Sequence, residues 1–394
     1  MRKNRLIAGI ITVSIFLTGC VDRVEIDRRN IISILGIDIG KEIVKEKEIA
    51  EKIDPSDPFA QKEIKKLKIT YGFPDVSSLG ESKGTQTKVL YFTSEAYSME
   101  DAMVKNTSKS SRKLNYGMER ALVISQDIFK YEDTFREVLD YISRNSSINK
   151  SMYVIACEGR AEDYIKYKPN AEANLENFIS GLMENTQENA SIIAVKLNDF
   201  ITTLDKNGNA ILPRIQYDVT KDEVNLTGSI LIKDYKVVEE LNDLESGVIK
   251  LLKGGSGSIS KVIYYKGHPL DFTIKKSKTK IKTNTNNPDK LVFDLKLTME
   301  GDISGYYYHD RLEDPNLISD IEKNFNEAIG KECARIMKFK LQDNVVDFVG
   351  LSDSIEAFHN PTWIKIKENW DEVYKNSEIN ISVDTKVKRI GLTK

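Results

Sequence analysis

Catalysis needs nucleophiles, proton carriers or metal ligands at workable spacings, and this chain offers few. Its three histidines, His268, His309 and His359, lie at no ligand spacing from one another or from a cysteine, so no metal site is expected. "DKNGNA" (205–210) hints at a calcium loop. Such a loop wants glycine at position six from the first ligand, whereas Gly208 is fourth and Pro213 follows closely. "KGGSGS" (253–258) is glycine-rich, but no Gly-Lys-Ser/Thr follows and no helix pattern begins there, so a phosphate cradle fails on context. There is no Gly-x-Ser-x-Gly elbow. Asp310, Glu313 and Asp314 form a small acidic cluster beside Tyr306–Tyr308. Paired carboxylates can do acid–base work, but a charged loop capping the next helix uses the same residues. Trp363 and Trp370 share one helical stripe and read as core. Neither a cofactor nor an enzymatic activity is expected.

The cysteines carry the one strong chemical signal. Cys157 and Cys333 fall on apolar faces and read as buried free thiols. Cys20 is different. Arg2, Lys3 and Arg5 form a basic head, Leu6 to Leu17 is almost wholly apolar, and Thr18-Gly19 precede the cysteine. The apolar run is short of the ~20 residues that span a bilayer and has the length of a signal core, ~7–15 residues. The Leu-small-Gly-Cys ending looks like a bacterial lipobox, which implies a diacylglycerol on the Cys20 sulfur and cleavage ahead of it. Residues 1–19 are thus expected to be a lipoprotein signal peptide and 20–30 a lipidated tether, rich in charge from Asp22 to Arg29. Two or more buried acyl chains hold a protein stably on a membrane.

The 394 residues are 40% hydrophobic and 30% charged, the balance of a folded globular chain and not a disordered one. Net charge is −2, and removing the three basic residues of the signal takes it to −5, which argues against nucleic acid as a partner. No later stretch reaches ~18 uncharged apolar residues, so the remainder is expected outside the bilayer.

The elements alternate. "IISILGIDIG" (31–40) and "KLKITYGF" (66–73) read as strands, separated by a charged insertion over 41–66. Ser98 and Asp101 mark a helix start, with Ala102, Met103 and Leu114 inward. "RALVIS" and "SMYVIACEG" are strands, the second apolar on both faces as in a central position. Helices follow from the stripes Phe135/Val138/Leu139/Ile142, Leu175/Phe178/Ile179/Leu182/Met183 and Leu197/Phe200/Ile201/Leu204. "ILPRIQYDV" reads as an edge strand, because Pro213 cannot donate to a ladder. Next come a strand, a tight turn at Lys233–Tyr235 and a return segment, then "KGGSGSIS" as a flexible connector and a hairpin about 286–289. A long helix spans roughly 316–340, and a last one starts at Asn360-Pro361. Ile379, Ile381, Val383, Thr385 and Val387 alternate with polar residues, as in antiparallel sheet. The expected fold class is α+β and multidomain, with mixed or antiparallel sheets, hairpins and long amphipathic helices. The regions are 31–205, which could itself be two domains, and 222–392.

In order and spacing these segments resemble the Ger(x)C family, the lipoprotein C-subunits of nutrient germinant receptors in endospore-forming bacteria. The resemblance rests on Cys20, Asp22, Glu25 and Ile26, then Gly36-Ile37-Asp38 and Gly117. It continues through Gly228, Leu241, Glu245 and Gly247, and is strongest at Gln342, Asp347, Pro361, Trp363 and Trp370. Val21 stands where tryptophan is usual and Met118 where histidine is, so neither position carries essential chemistry here. The resemblance covers nearly the whole chain except 41–66. It implies three α+β domains strung from the lipid anchor. It also implies a non-catalytic subunit on the outer face of the spore's inner membrane, beside integral-membrane A and B subunits. Whether this subunit touches the small-molecule germinant is left open. Two rivals remain: a substrate-binding lipoprotein of a transporter, disfavoured by the hairpin-rich second half, and a surface-anchored hydrolase.

Overall fold

The computed structural model describes residues 28–52, 56, 64–75, 88–169, 172, 174–185, 192–287, 290–306 and 315–390. Cys20, the signal and the first part of the tether lie outside the described residues. So do most of 53–63, Tyr307, Tyr308, His309 and the Asp310/Glu313/Asp314 cluster.

The chain opens with β1 (Arg29–Ile31) and β2 (Ile34–Ile39). The charged segment then forms a 3-10 turn and a short helix, α1 (Glu46–Ala50), before β3 (Leu67–Pro74). Its far end is not solvated: Lys66 is 0% exposed and ties Glu46 at 2.7 Å to Glu137 at 2.6 Å. A further strand without a marked sequence pattern, β4 (Val89–Ala96), pairs antiparallel with β3. Ser98 caps α2 (Met99–Thr107) by accepting the Asp101 N–H, as its position implied. The helix stops at Thr107, so Leu114 lies instead on a short strand, β5 (Lys113–Asn115), paired with β1.

Then come β6 (Ala121–Ser125), α3 (Glu132–Arg144), β7 (Tyr153–Cys157) and α4 (Ala161–Lys166). After them stand α5 (Leu175–Glu184), α6 (Leu197–Asn207), β8 (Asn209–Asp218), β9 (Glu223–Lys233) and β10 (Lys236–Leu241). Gly208, with φ of +67°, ends α6 in the left-handed conformation that glycine adopts without steric cost. Together these strands build one eight-stranded sheet in the order β10-β9-β8-β7-β6-β2-β3-β4. Its middle, from β2 through β6 and β7 to β8, is parallel. That explains why those strands are apolar on both faces: Leu122 and Ile124 meet α2, α3 and α6 on one side, while Ala121 and Val123 meet α4 and α5 on the other. β8 is interior, contrary to the edge position expected from Pro213. Pro213 sits at a register shift against β9, and pairing with β7 begins one residue later at Arg214, so the missing donor costs no ladder bond. The sheet runs through 241, so strands on either side of residue 222 are direct partners.

A second sheet follows α7 (Asp243–Lys253). It holds β11 (Gly255–Tyr265), β12 (His268–Asn284), β13 (Val292–Tyr306) and β14 (Glu378–Ile390), in that order. "KGGSGSIS" is therefore largely strand and not a free connector, because β12 supplies its partner from Gly255 onward. The two arms expected on either side of 286–289 pair antiparallel, from Asn284 opposite Val292 onward, while Pro288 and Asp289 lie outside the described residues. Leu291, Phe293, Leu295, Leu297 and Met299 are all buried along one face. They pack under α8 (Pro315–Ile336), which continues into a π-helical turn over Met337–Gln342.

Three short helices follow: α9 (Leu351–Phe358), α10 (Asn360–Ile366) and α11 (Trp370–Asn376). The single last helix expected from Asn360-Pro361 is broken by a 3-10 turn at Lys367–Asn369, although Ile366, Trp370 and Tyr374 still face inward. The final strand keeps its period-two pattern but pairs parallel with β13. A parallel neighbour requires a long crossover, and α8 through α11 supply it. The outer edge of β14 is partly closed by α8, whose Asn326 and Glu322 accept the Thr385 and Val387 N–H groups at 2.9 and 2.8 Å.

The two sheets share α7. Residues 245–249, 251 and 252 of this helix are buried, and one apolar core runs from Ile211 and Leu231 of the first sheet through Ile249 and Leu252 to Phe272 and Phe325 beyond it.

Candidate functional site

The residues that carry the resemblance fall into place as clamps. Asp38, at the end of β2, is 2% exposed. Its two oxygens accept the N–H groups of Ala161 at 2.6 Å and Glu162 at 2.9 Å, so a strand 123 residues away caps α4. Burial pushes its carboxyl up to about 6, with the two N–H donors pulling the other way. Gly36, two residues earlier, lets α4 approach: a Cβ there would overlap Ile165 Cδ1 and lie 3.6 Å from Ala161 Cβ. Next to Asp38, burial opposes charge on Glu162. Hydrogen bonds from Lys166, Lys68 and Thr93 outweigh it and hold this carboxyl down at about 2.

Two carboxyls driven apart in this way could mark an acid–base pair. Here both Asp38 oxygens are taken by backbone donors and Glu162 is locked among two lysines and a hydroxyl, so neither faces a substrate.

Glu119, 0% exposed, plays a similar part in the neighbouring loop. It accepts the N–H groups of Gly117 at 2.8 Å and Asn149 at 3.0 Å. Gly117 itself has φ of +121°, and Met118 is 63% exposed, a surface position with no contact that chemistry would need.

At the joint, Asn242 and Glu245 form a reciprocal capping box on α7, and "NDLE" is the local sequence signal for it. Glu245 also meets Arg335 of α8 at 3.2 Å. Gly228 has φ of +65° and donates its N–H to Asp243 at 2.6 Å. Farther on, Gln342 donates to the Tyr374 and Ser377 carbonyls at 3.0 and 2.7 Å. Asp347 accepts three N–H groups, from Gly350, Leu351 and Ser352, and so caps α9. Trp363 and Trp370 meet edge to face at 5.6 Å, and Trp370 stacks on Tyr374 at 5.7 Å.

Neither described cysteine is placed for chemistry. Cys157 and Cys333 are free, buried and in separate cores. Burial raises both thiols, Cys333 to about 12, far from a reactive thiolate. Among the described residues no group of three or more histidine, cysteine or acidic side chains is placed to hold a metal ion. No described helix is long and apolar enough to cross a membrane.

A cleft of about 430 Å³ opens at the carboxyl ends of β7 and β8, lined by Arg160, Asp163, Tyr164, Tyr167 and Tyr217 among others. Several of its polar groups are already engaged, by one another or by Asp222 at its edge. Arg160 is bidentate to Asp163 at 2.8 and 2.9 Å, Tyr167 donates to the Asp222 carbonyl at 2.7 Å, and Tyr217 donates to the Asp222 carboxylate.

Comparison with known proteins agrees with this architecture. A family profile described as the spore germination protein N-terminal domain matches residues 22–217, and one described as spore germination B3/GerAC-like, C-terminal, matches residues 227–391. The chain is 24% identical to spore germination protein YndF of Bacillus subtilis over 100% of this chain and 98% of that one. It is 24% identical to spore germination protein KC of the same organism, over 100% and 97%. It is 23% identical to spore germination protein GerQC of Bacillus cereus, over 97% of each. The crystal structure of the GerBC protein superposes with a TM-score of 0.57 at 20% identity, covering 84% of this chain and 95% of that one, a likeness of fold. Matched along nearly its whole length by both halves of the GerAC-like architecture, the chain belongs to the Ger(x)C family of spore germination proteins.

Proposed function

We propose that this chain is the lipid-anchored, non-catalytic C-subunit of a nutrient germinant receptor. In this reading it is held on the outer face of the spore's inner membrane by Cys20 and assembles there with integral-membrane A and B subunits. The observation that carries the reading is the pairing of a full-length family match with side chains spent on structure. Asp38, Glu119, Glu245, Gln342 and Asp347 all fix elements to one another, and none is left aimed at a cleft with its hydrogen bonds unmade.

Anchoring confines the chain to two dimensions and raises its effective concentration near membrane partners. Cys20→Ala tests this. The variant is expected in the soluble fraction, with receptor assembly and nutrient-triggered germination lost. Persistence of both in a soluble variant refutes the role given to the anchor.

The transporter-type reading has one observation in its favour, the cleft at the carboxyl ends of the parallel strands, where α/β sheets commonly bind ligands. Tight, saturable nutrient binding by the isolated chain in calorimetry would favour it over the receptor subunit.

A further inference from the structure

The outward face of the second sheet carries a charge pattern that its fold does not use. Lys276, Lys278, Lys280 and Lys282 alternate along β12 with the half-buried Ser277, Thr279, Ile281 and Thr283, so all four ammonium groups point the same way, into solvent. Residues two apart on a strand are ~7 Å apart, which makes a row about 20 Å long. No ion pair or hydrogen bond among the described residues engages these four side chains.

Of the acidic residues beside the row, two are engaged by other lysines and one by an asparagine, while Asp271 and Asp302 lie farther along the same face, across from Val262 and Thr273. Glu300, across from Lys276, pairs with Lys388 at 3.2 Å, and Asp384 pairs with Lys296 at 3.3 Å. Asp294, across from Lys282, accepts from Asn380 at 3.1 Å. Beyond the row, the edge strand β11 exposes Val262 (58%) and Tyr264 (71%), an aliphatic and an aromatic side chain with nothing packed over them.

We infer that this face docks on an anionic phospholipid surface. A row of unpaired, flexible lysines suits a fluid layer of phosphate headgroups, each lysine adding about five-fold to the association. It suits a protein partner poorly, because lysine is depleted from protein interfaces, where arginine is preferred. Exposed tyrosine beside valine is the pairing that settles at the headgroup level.

The inference rests on the anchored reading, since a single lipidated end leaves the body free to tumble. The eight residues between Cys20 and Arg29 span at most about 30 Å. A second, electrostatic contact would set which side of the molecule faces the membrane and which faces its partners.

The test uses the lipidated full chain reconstituted into vesicles of phosphatidylcholine alone or mixed with phosphatidylglycerol. Amine acetylation is followed lysine by lysine by mass spectrometry. Lys276, Lys278, Lys280 and Lys282 are expected to label on the order of five-fold more slowly on the anionic vesicles, with the difference lost in high salt. Lys323, Lys331, Lys365 and Lys375, exposed on helices, are expected to label equally on both. Equal labelling of the β12 lysines on the two membranes overturns the inference. So does protection that appears only when the integral-membrane subunits are added, which would make this face a protein interface. Flotation of the chain with neutral vesicles reads the anchor separately: a chain that fails to float refutes the anchoring, whereas one that floats with unprotected lysines refutes only the docking face.

Discussion

Gly228→Ala is the sharpest probe of the joint between the two sheets. Gly228 sits in β9 at φ +65°, and its N–H donates to Asp243 at the start of α7. A Cβ at this position would overlap the Leu241 carbonyl oxygen, with the Leu241 carbonyl carbon at 3.0 Å and Asn242 Cα at 3.3 Å. All of these are backbone atoms, and Asn242 is the capping residue of α7, so relief requires moving the strand or the helix.

The left-handed backbone alone costs alanine about 1 kcal/mol. Displacing the Asp243 hydrogen bond adds about 1–2 kcal/mol, and disturbed packing under α7 adds about 1–2 kcal/mol more. The total is about 3–5 kcal/mol, a large share of the ~5–15 kcal/mol that holds a typical domain. Urea unfolding followed by far-UV circular dichroism and by tryptophan fluorescence reads it. Trp370 lies in the same core as Leu241 and Ile249, so the fluorescence transition should shift with the dichroism. Gly181→Ala is the matched control. Gly181 lies inside α5, its added methyl would meet nothing within 4 Å, and the change should stabilise by about 0.5–1 kcal/mol. A Gly228→Ala chain within 1 kcal/mol of the parent would refute the packing argument.

Two further outcomes concern buried carboxylates. The Asp38 carboxyl is raised from about 4 to about 6 by burial, so the folded state holds its proton more tightly than the unfolded chain. Its contribution to stability is therefore fully present below pH ~4 and lost as pH rises through ~6, with an upper bound of about 3 kcal/mol. Asp38→Asn removes that slope, so its destabilisation relative to the parent, measured by urea midpoints, should grow between pH 7 and pH 4; a difference independent of pH would contradict the assignment. Asp347→Ala leaves three N–H groups at the start of α9 without their acceptor and should cost about 2–3 kcal/mol, with faster amide exchange at Gly350 to Ser352. Unchanged exchange there would show that water replaces the carboxylate without penalty.

Several elements could be read locally because their signal is local. The stripe Phe135, Val138, Leu139 and Ile142 needs only helical geometry to share a face, and all four are buried in α3. Ser98 caps α2 through a hydrogen bond three residues long. Other elements carried too little signal. Six residues of α4 hold no repeating stripe, and its cap, Asp38, comes from 123 residues away. β4 reads "VLYFTSEA", half-buried on most of its length, and is a strand because β3 lies beside it.

The candidate site divided the same way. Asp38, Glu245, Gln342 and Asp347 stood out only through the family resemblance, and their work as clamps was not legible, because each acts on an element reached only after folding. What the sequence determined by itself was period: which residues share a face, where apolar runs start and stop, and the signal-like stretch ending at Cys20. Tertiary structure alone decided partnership. It set β14 parallel to β13 and placed β8 inside its sheet in spite of Pro213. It also lined up four lysines along one face, with the facing Glu300 and Asp294 turned to Lys388 and Asn380. Side-chain period is fixed by the dihedral angles of one segment, but strand direction, order and neutralisation depend on which distant segment arrives alongside.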